Sequence, residues 1–182
     1  ATLHYYIPWR PVWNSNSIST PCWMVFDASM VTATGLSLND VLAKGRNQMN
    51  KLVEVIIRWF IRRCAFHTDV SKMYNSLKLL PCHWMYQMYL WHPNLDPDED
   101  PVAKVIKTLI YGMKSSGNQA EHGLRETARS QQEQYPRVSE IVQNDAYVDD
   151  IPSGEATEED AHKSADELEI VLASGGYNLK GF

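Results

Sequence analysis

The chain has 182 residues, 44% of them hydrophobic, and carries 17 basic and 22 acidic side chains for a net charge of −5. That length suits one domain, or one and a fraction, with room for a real core, and no apolar run approaches the roughly 20 residues of a membrane-spanning helix. The three cysteines, Cys22, Cys64 and Cys82, are odd in number and far apart, which argues against a disulfide framework and makes a reducing, intracellular compartment the expectation.

The opening residues, ATLHYYIPWRP, lack the charged-then-apolar pattern of a secretory signal, so no export is expected. Pro, Ser, Asn and aromatics dominate the first twenty residues, which read as an extended arm. The run CWMVFDA, Cys22 to Ala28, fits a short buried strand. SLND, Ser37 to Asp40, is a capping box with Asp in the usual Glu place, so a helix should start there and stop near Gly45.

From Asn47 to Arg63 apolar Leu52, Val55, Ile56 and Phe60 recur at helical spacing, leaving Lys51, Arg58 and Arg62 outside. CAFHTDV, Cys64 to Val70, reads as a strand. DPDEDP, Asp96 to Pro101, is a prolyl acidic loop. A β-branched run over 102–111 follows and ends at Gly112, and then 118–134 has helical composition. Asn144 to Gly154, NDAYVDDIPSG, reads as a hairpin with its turn at Asp149 and Asp150, a two-residue tip between Val148 and Ile151. Thr157 is a good N-cap for a helix with the stripe Ala161, Ala165, Leu168, Val171 and Leu172, closed by Gly175 and Gly176. Tyr177 to Phe182 is again extended. Strand, helix, hairpin, helix, strand is close to a split βαβ, ferredoxin-like α+β layout, with helices on one face of an antiparallel sheet.

Charge is distributed unevenly along this order. Lys44, Arg46, Lys51, Arg58, Arg62 and Arg63 crowd the stretch before Cys64, and ten acids lie between Asp145 and Glu169. This polarity suits one polyanion-facing flank and one site that collects cations, although two solvated helix faces would look the same. The layout brings Asp69, at the end of CAFHTD, beside the hairpin that carries Asp149 and Asp150. Three carboxylates on one sheet edge repel unless divalent cations neutralise them, and hard oxygen ligands select Mg²⁺ or Mn²⁺. Such a cluster serves phosphoryl transfer assisted by two metal ions.

Four segments in order, TDVSKMYNSLKL (68–79), IYGMKSSGNQA (110–120), AYVDD (146–150) and SGGYNLKGF (174–182), resemble motifs A to D of reverse transcriptases. VFDASMVTATGLSLNDVL (25–42) and YLWHP (89–93) are similar to retrotransposons of the Bel/Pao type. The resemblance implies a polymerase palm over 64–182, truncated before the thumb, preceded by partial fingers over 1–63. It implies RNA-directed DNA polymerase activity, in which a primer 3′-hydroxyl attacks the α-phosphate of a dNTP on an RNA or DNA template. Asp69, Asp149 and Asp150 match the catalytic carboxylates holding two Mg²⁺ or Mn²⁺ ions, with the carbonyl of Val70 as a further ligand. Tyr74 matches the aromatic under the nucleotide sugar, Gly112 the motif B glycine near nucleotide and template, and Lys180 the motif D lysine. The implied setting is the cytoplasm, in retrotransposon particles. Missing polyprotein domains, or self-association, would cover apolar surface.

The pattern also departs from the family. Trp23 stands where an arginine would grip the triphosphate, and a guanidinium's charge-assisted bonds have no substitute in indole. Motif B continues Ser115, Ser116, Gly117 instead of a small residue and proline. An inactive remnant acting as a nucleic-acid-binding or interaction module is therefore the alternative. Plainer readings also stand: Tyr74 as a core aromatic, Lys180 as a solvated lysine, Gly112 as a strand terminator. A zinc module on Cys64, His67, Cys82 and His83 is a further alternative, weakened because strand spacing turns Cys64 and His67 to opposite faces.

Overall fold

The structure is a computed structural model, and it describes residues 4–16, 20–96 and 98–181. Parts of the N-terminal arm, Pro97 of the acidic loop and Phe182 at the end of the fourth motif lie outside the described residues. In chain order the elements are β1 (Trp9–Trp13), β2 (Cys22–Phe26), α1 (Leu38–Val41), α2 (Leu52–Phe60), β3 (Cys64–Ser71), α3 (Met73–Ser76), β4 (Met88–Trp91), β5 (Val102–Val105), α4 (Ser116–Ser130), α5 (Pro136–Asn144), β6 (Asp150–Glu155), α6 (Glu158–Ser174) and β7 (Asn178–Lys180). Two compact units are built from interleaved segments, one from Ala1–Lys44 and Lys78–Ser116, the other from Gly45–Leu77 and Gly117–Phe182.

In the first unit β1 and β2 form an antiparallel hairpin, and β4 and β5 form a second. The run CWMVFDA does contain a strand, but the middle of β2 is exposed where a buried strand was expected. Its sheet has two strands, too few to cover both faces. Trp9 ties the hairpins together, since its Nε1 donates to the Leu90 carbonyl at 2.8 Å and its ring stacks on Trp91 at 5.4 Å. The core gathers Ile7, Ala28, Leu38 and Ile110. The capping box forms as the sequence predicts, with Ser37 N–H donating to the Asp40 carboxylate at 2.8 Å. The helix it opens is only Leu38–Val41, because Leu42 is already extended.

In the second unit β3 is the central strand of an antiparallel sheet ordered β6-β3-β7. Side chains alternate along it, with Thr68 and Val70 buried while His67 and Asp69 occupy the more open face. The core holds Val138, Ile141 and Val142 from α5, Ile151 from β6, and Leu168, Val171 and Leu172 from α6, all fully buried. Thr157 caps α6 by accepting the Asp160 N–H at 3.1 Å. Glu158, Glu159 and Asp160 sit at its positive end, and Gly175 closes it. Most of the expected stripe is buried.

α5 and α2 also depart from the sequence expectation. α5 went unread, although Pro136 at its first turn and Val138, Ile141 and Val142 at i, i+3 and i+4 mark it. α2 is shorter than 47–63, and of its expected stripe only Val55 is buried; Phe60 is 80% exposed. Besides Val55, α2 contributes an ion pair to the unit. Arg58 Nε donates to Asp145 Oδ1 at 2.9 Å, and Ser153 Oγ donates to the other oxygen at 2.7 Å, so the buried Asp145 carboxylate is fully engaged.

Candidate active site

Asp69 and Asp150 are Cα partners across the β3–β6 ladder. Asp150 spends its own N–H and C=O on Tyr147, at 3.0 and 2.8 Å. The pair facing β3 is therefore the narrow, non-hydrogen-bonded kind, whose Cα atoms stand about 4.5 Å apart with both side chains on one face. The same two bonds set the hairpin turn, and they correct the expected register. Its two-residue tip is Val148 and Asp149, not Asp149 and Asp150, and Asp150 already belongs to the strand. Val148 takes the first tip position with φ +57, a conformation that costs a β-branched residue about 1–3 kcal/mol. The Asp149 carbonyl accepts the Val70 N–H at 2.7 Å, which pins the tip to β3 beside Asp69.

Like charges are therefore forced together. Burial pushes the Asp149 carboxyl above its ordinary value; a hydrogen bond from its own N–H opposes this, and the charges of Asp69 and Asp150 push it higher still. On the other side of β3, Asp69 faces Lys180 of β7. Asp69 thus lies between an acid and a base on neighbouring strands of one sheet face. Asp150 Oδ1 also meets His67 Nε2 at 2.9 Å. The sequence raised His67 only as a zinc-ligand candidate, although strand periodicity puts it on the face of Asp69, two residues away.

Tyr74 follows β3 on the short helix α3 and is half-buried. Burial first, then the charges of Asp149 and Glu121, push its phenol above the ordinary tyrosine value. A Cβ placed on Gly117 would lie 3.7 Å from the Tyr74 hydroxyl, so the α4 backbone comes close to this ring. Glu121 of α4, absent from the sequence reading, is buried, and desolvation raises its carboxyl against the opposing charge of Arg125. Its i, i+4 spacing to Arg125 was the available signal. Gly112 and Trp23 belong to the first unit. There Gly112 has φ +90, its carbonyl accepts from Asn39 Nδ2 at 2.8 Å, and a Cβ would stand 2.9 Å from the Phe26 carbonyl. Trp23 faces Val12 in the β1–β2 hairpin and is 42% exposed.

No protein-family model matches this sequence and no curated protein matches it. Solved structures do. One is the foamy viral protease-reverse transcriptase dRH in complex with ds DNA, at 15% identity and a TM-score of 0.72, covering 96% of this chain and 26% of that one. Another is the foamy viral protease-reverse transcriptase in complex with RNA/DNA hybrid, at 15% identity and 0.68, covering 96% and 20%. The fold is that of a reverse-transcriptase domain. This chain spans about a quarter or less of the length of the structures it resembles.

The three aspartates are hard oxygen donors whose mutual repulsion calls for a counter-ion, which fits Mg²⁺ or Mn²⁺ in donor chemistry. Among the described residues, no three His, Cys, Asp or Glu side chains stand together as a metal-holding group, and one oxygen of Asp150 is taken by His67. Cys64 and His67, three apart on β3, lie on opposite faces of the strand. Among the described residues no helix is long and apolar enough to cross a membrane.

Proposed function

We propose that this chain is the catalytic palm, with part of the fingers, of an RNA-directed DNA polymerase from a retrotransposon of the Bel/Pao type, with 64–182 as palm and 1–63 as fingers. The observation that carries the reading is the cross-strand pairing of Asp69 with Asp150, with Asp149 pinned beside them through the Val70 N–H. The fold supports it, and so does the nucleic acid in complex with both similar structures. The reaction is transfer of a deoxynucleotide from dNTP to a primer 3′-hydroxyl on an RNA or DNA template, with release of pyrophosphate.

Asp69, Asp149, Asp150 and the Val70 carbonyl would hold divalent cations, whose chemistry is to neutralise phosphate charge and lower the pKa of the attacking hydroxyl. The chain's own contribution is placement. The hairpin fixes Asp149 against β3, and the ladder fixes Asp150 against Asp69. The Tyr74 ring, stiffened by burial, is a wall against a ribose 2′-hydroxyl. Lys180, opposite Asp69, offers an ammonium to phosphate oxygens, and Gly112 gives backbone close approach to nucleotide and template. Trp23 offers no charge to the triphosphate, so weak dNTP binding is part of the proposal.

A second reading, a nucleic-acid-binding remnant without catalysis, is favoured by Trp23 and by the lack, among the described residues, of three side chains grouped to hold a metal. Primer extension on an RNA template with Mg²⁺ or Mn²⁺ separates the two. Extension by the wild-type chain, or by Trp23→Arg, that disappears in Asp69→Asn supports the polymerase. Template binding without extension by either chain supports the remnant.

A further inference from the structure

We infer that His67 is a positioning residue for Asp150, orienting that carboxylate for a divalent cation on the face it shares with Asp69. The inference rests on the cation reading given above. The ladder sets Asp150 opposite Asp69 and His67 opposite Pro152, which makes His67 and Asp150 diagonal neighbours on one face, within reach of a long side chain. The contact is made, with His67 Nε2 2.9 Å from Asp150 Oδ1. A carboxylate only accepts, so Nε2 carries the proton and donates.

The imidazole is itself held. Its ring lies 6.3 Å from that of Trp59 on α2, and Trp59 Nε1 is anchored to the Phe66 carbonyl at 3.1 Å. The chain of contacts runs from α2 through Trp59 to His67 and then to Asp150. It ends on a carboxylate whose Oδ1 is occupied and whose Oδ2 has no hydrogen bond to the protein among the described contacts. Asp150 needs such a guide because it opens its strand in an exposed position and is half in solvent, where an unrestrained carboxylate would sample all its rotamers. An ion pair this exposed contributes little to folding, so its effect should appear in ligand binding. Hydrogen bonds that orient a ligating carboxylate are worth about 10–100-fold in metal affinity, and an exposed partner belongs at the lower end.

Calorimetric titration of the full chain with Mn²⁺ tests this, using wild type, His67→Leu, His67→Gln and Asp69→Asn, with melting temperatures measured alongside. The expected result is a loss of about tenfold in Mn²⁺ affinity for His67→Leu at an unchanged melting temperature, and recovery in His67→Gln, whose amide can donate to Asp150. Equal affinity in His67→Leu and wild type overturns the inference, as does an equal loss in both His67 variants. Wild-type binding that is indifferent to Asp69→Asn overturns the cation reading itself, which keeps the two failures distinct.

Discussion

Asp149 lends its backbone carbonyl to the Val70 N–H at 2.7 Å, while its side chain is held near the carboxylates of Asp69 and Asp150 and driven above its ordinary value, by burial first and those charges after. A hairpin that fixes its tip so firmly leaves like charges no room to separate, and the consequences can be measured.

One consequence is a trade of stability for site chemistry. A carboxyl whose folded pKa is raised contributes stability that is complete below its unfolded value, 3.8 here, and lost as pH rises through the folded value. At neutral pH the metal-free wild type bears that loss, and a neutral amide does not. Asp149→Asn should therefore melt a few degrees higher than wild type in chelator at pH 7, on the scale of about 2–4 °C per kcal/mol. Added Mg²⁺ should raise the melting temperature of wild type and leave Asp149→Asn unmoved. A variant that melts lower in chelator would contradict this account of the site.

The Arg58–Asp145 pair predicts the opposite sign. Asp145 is 3% exposed, and its carboxylate is divided between Arg58 and Ser153. Arg58→Ala leaves a buried charge without its cation, at a cost of about 3–5 kcal/mol. Urea unfolding should show the midpoint dropping steeply. A loss under about 1 kcal/mol, the value of an exposed pair, would mean that solvent reaches Asp145.

Tyr177 carries the pH prediction. It is 2% exposed, its hydroxyl has no hydrogen-bond partner, and a Cβ on Gly123 would sit 2.8 Å from that oxygen. Burial pushes its pKa from 10.0 up to about 12. The folded state prefers the neutral phenol, so stability should hold below pH 10 and fall as pH rises towards 12. Tyr177→Phe should remove that part of the alkaline loss and gain about 1 kcal/mol at neutral pH by deleting an unsatisfied group. Identical alkaline unfolding curves for the two proteins would refute it.

Tyr74 offers a test of selectivity. If its ring blocks a 2′-hydroxyl, Tyr74→Val should raise incorporation of ribonucleotides relative to deoxyribonucleotides by at least tenfold, about 1.4 kcal/mol of lost discrimination. Competitive single-nucleotide extension reads the ratio directly. An unchanged ratio with reduced stability would assign Tyr74 to the core alone.

The sequence exposed what is local and periodic. The Ser37–Asp40 box, the Thr157 cap, the α6 stripe and the strand at Cys64 could be read because each is written within a few residues. The juxtaposition of Asp69 with the hairpin followed from topology, since an antiparallel sheet of this order leaves few other places for it. The turn register slipped by one residue because Asp-Asp before Ile-Pro looks like a tip, whereas the Tyr147–Asp150 bonds place a left-handed valine there. A propensity reading does not select β-branched residues for positive φ. α2 misled because its apolar face, regular in sequence, is largely exposed; periodicity shows amphipathicity without showing what covers it. The roles of His67 and Glu121 were missed because they depend on partners brought in from elsewhere in the chain, Asp150 for one and Tyr74 for the other.

The central claim is that Asp69, Asp149 and Asp150 make a divalent-cation site. Diffraction from crystals soaked in Mn²⁺, with anomalous difference maps, tests it most directly. The account predicts anomalous density in contact with Asp69 and at least one of the hairpin aspartates, at ligand distances of about 2.0–2.6 Å, and its loss in Asp69→Asn crystals. Manganese bound only elsewhere, with the three carboxylates free of metal at saturating concentration, would contradict it.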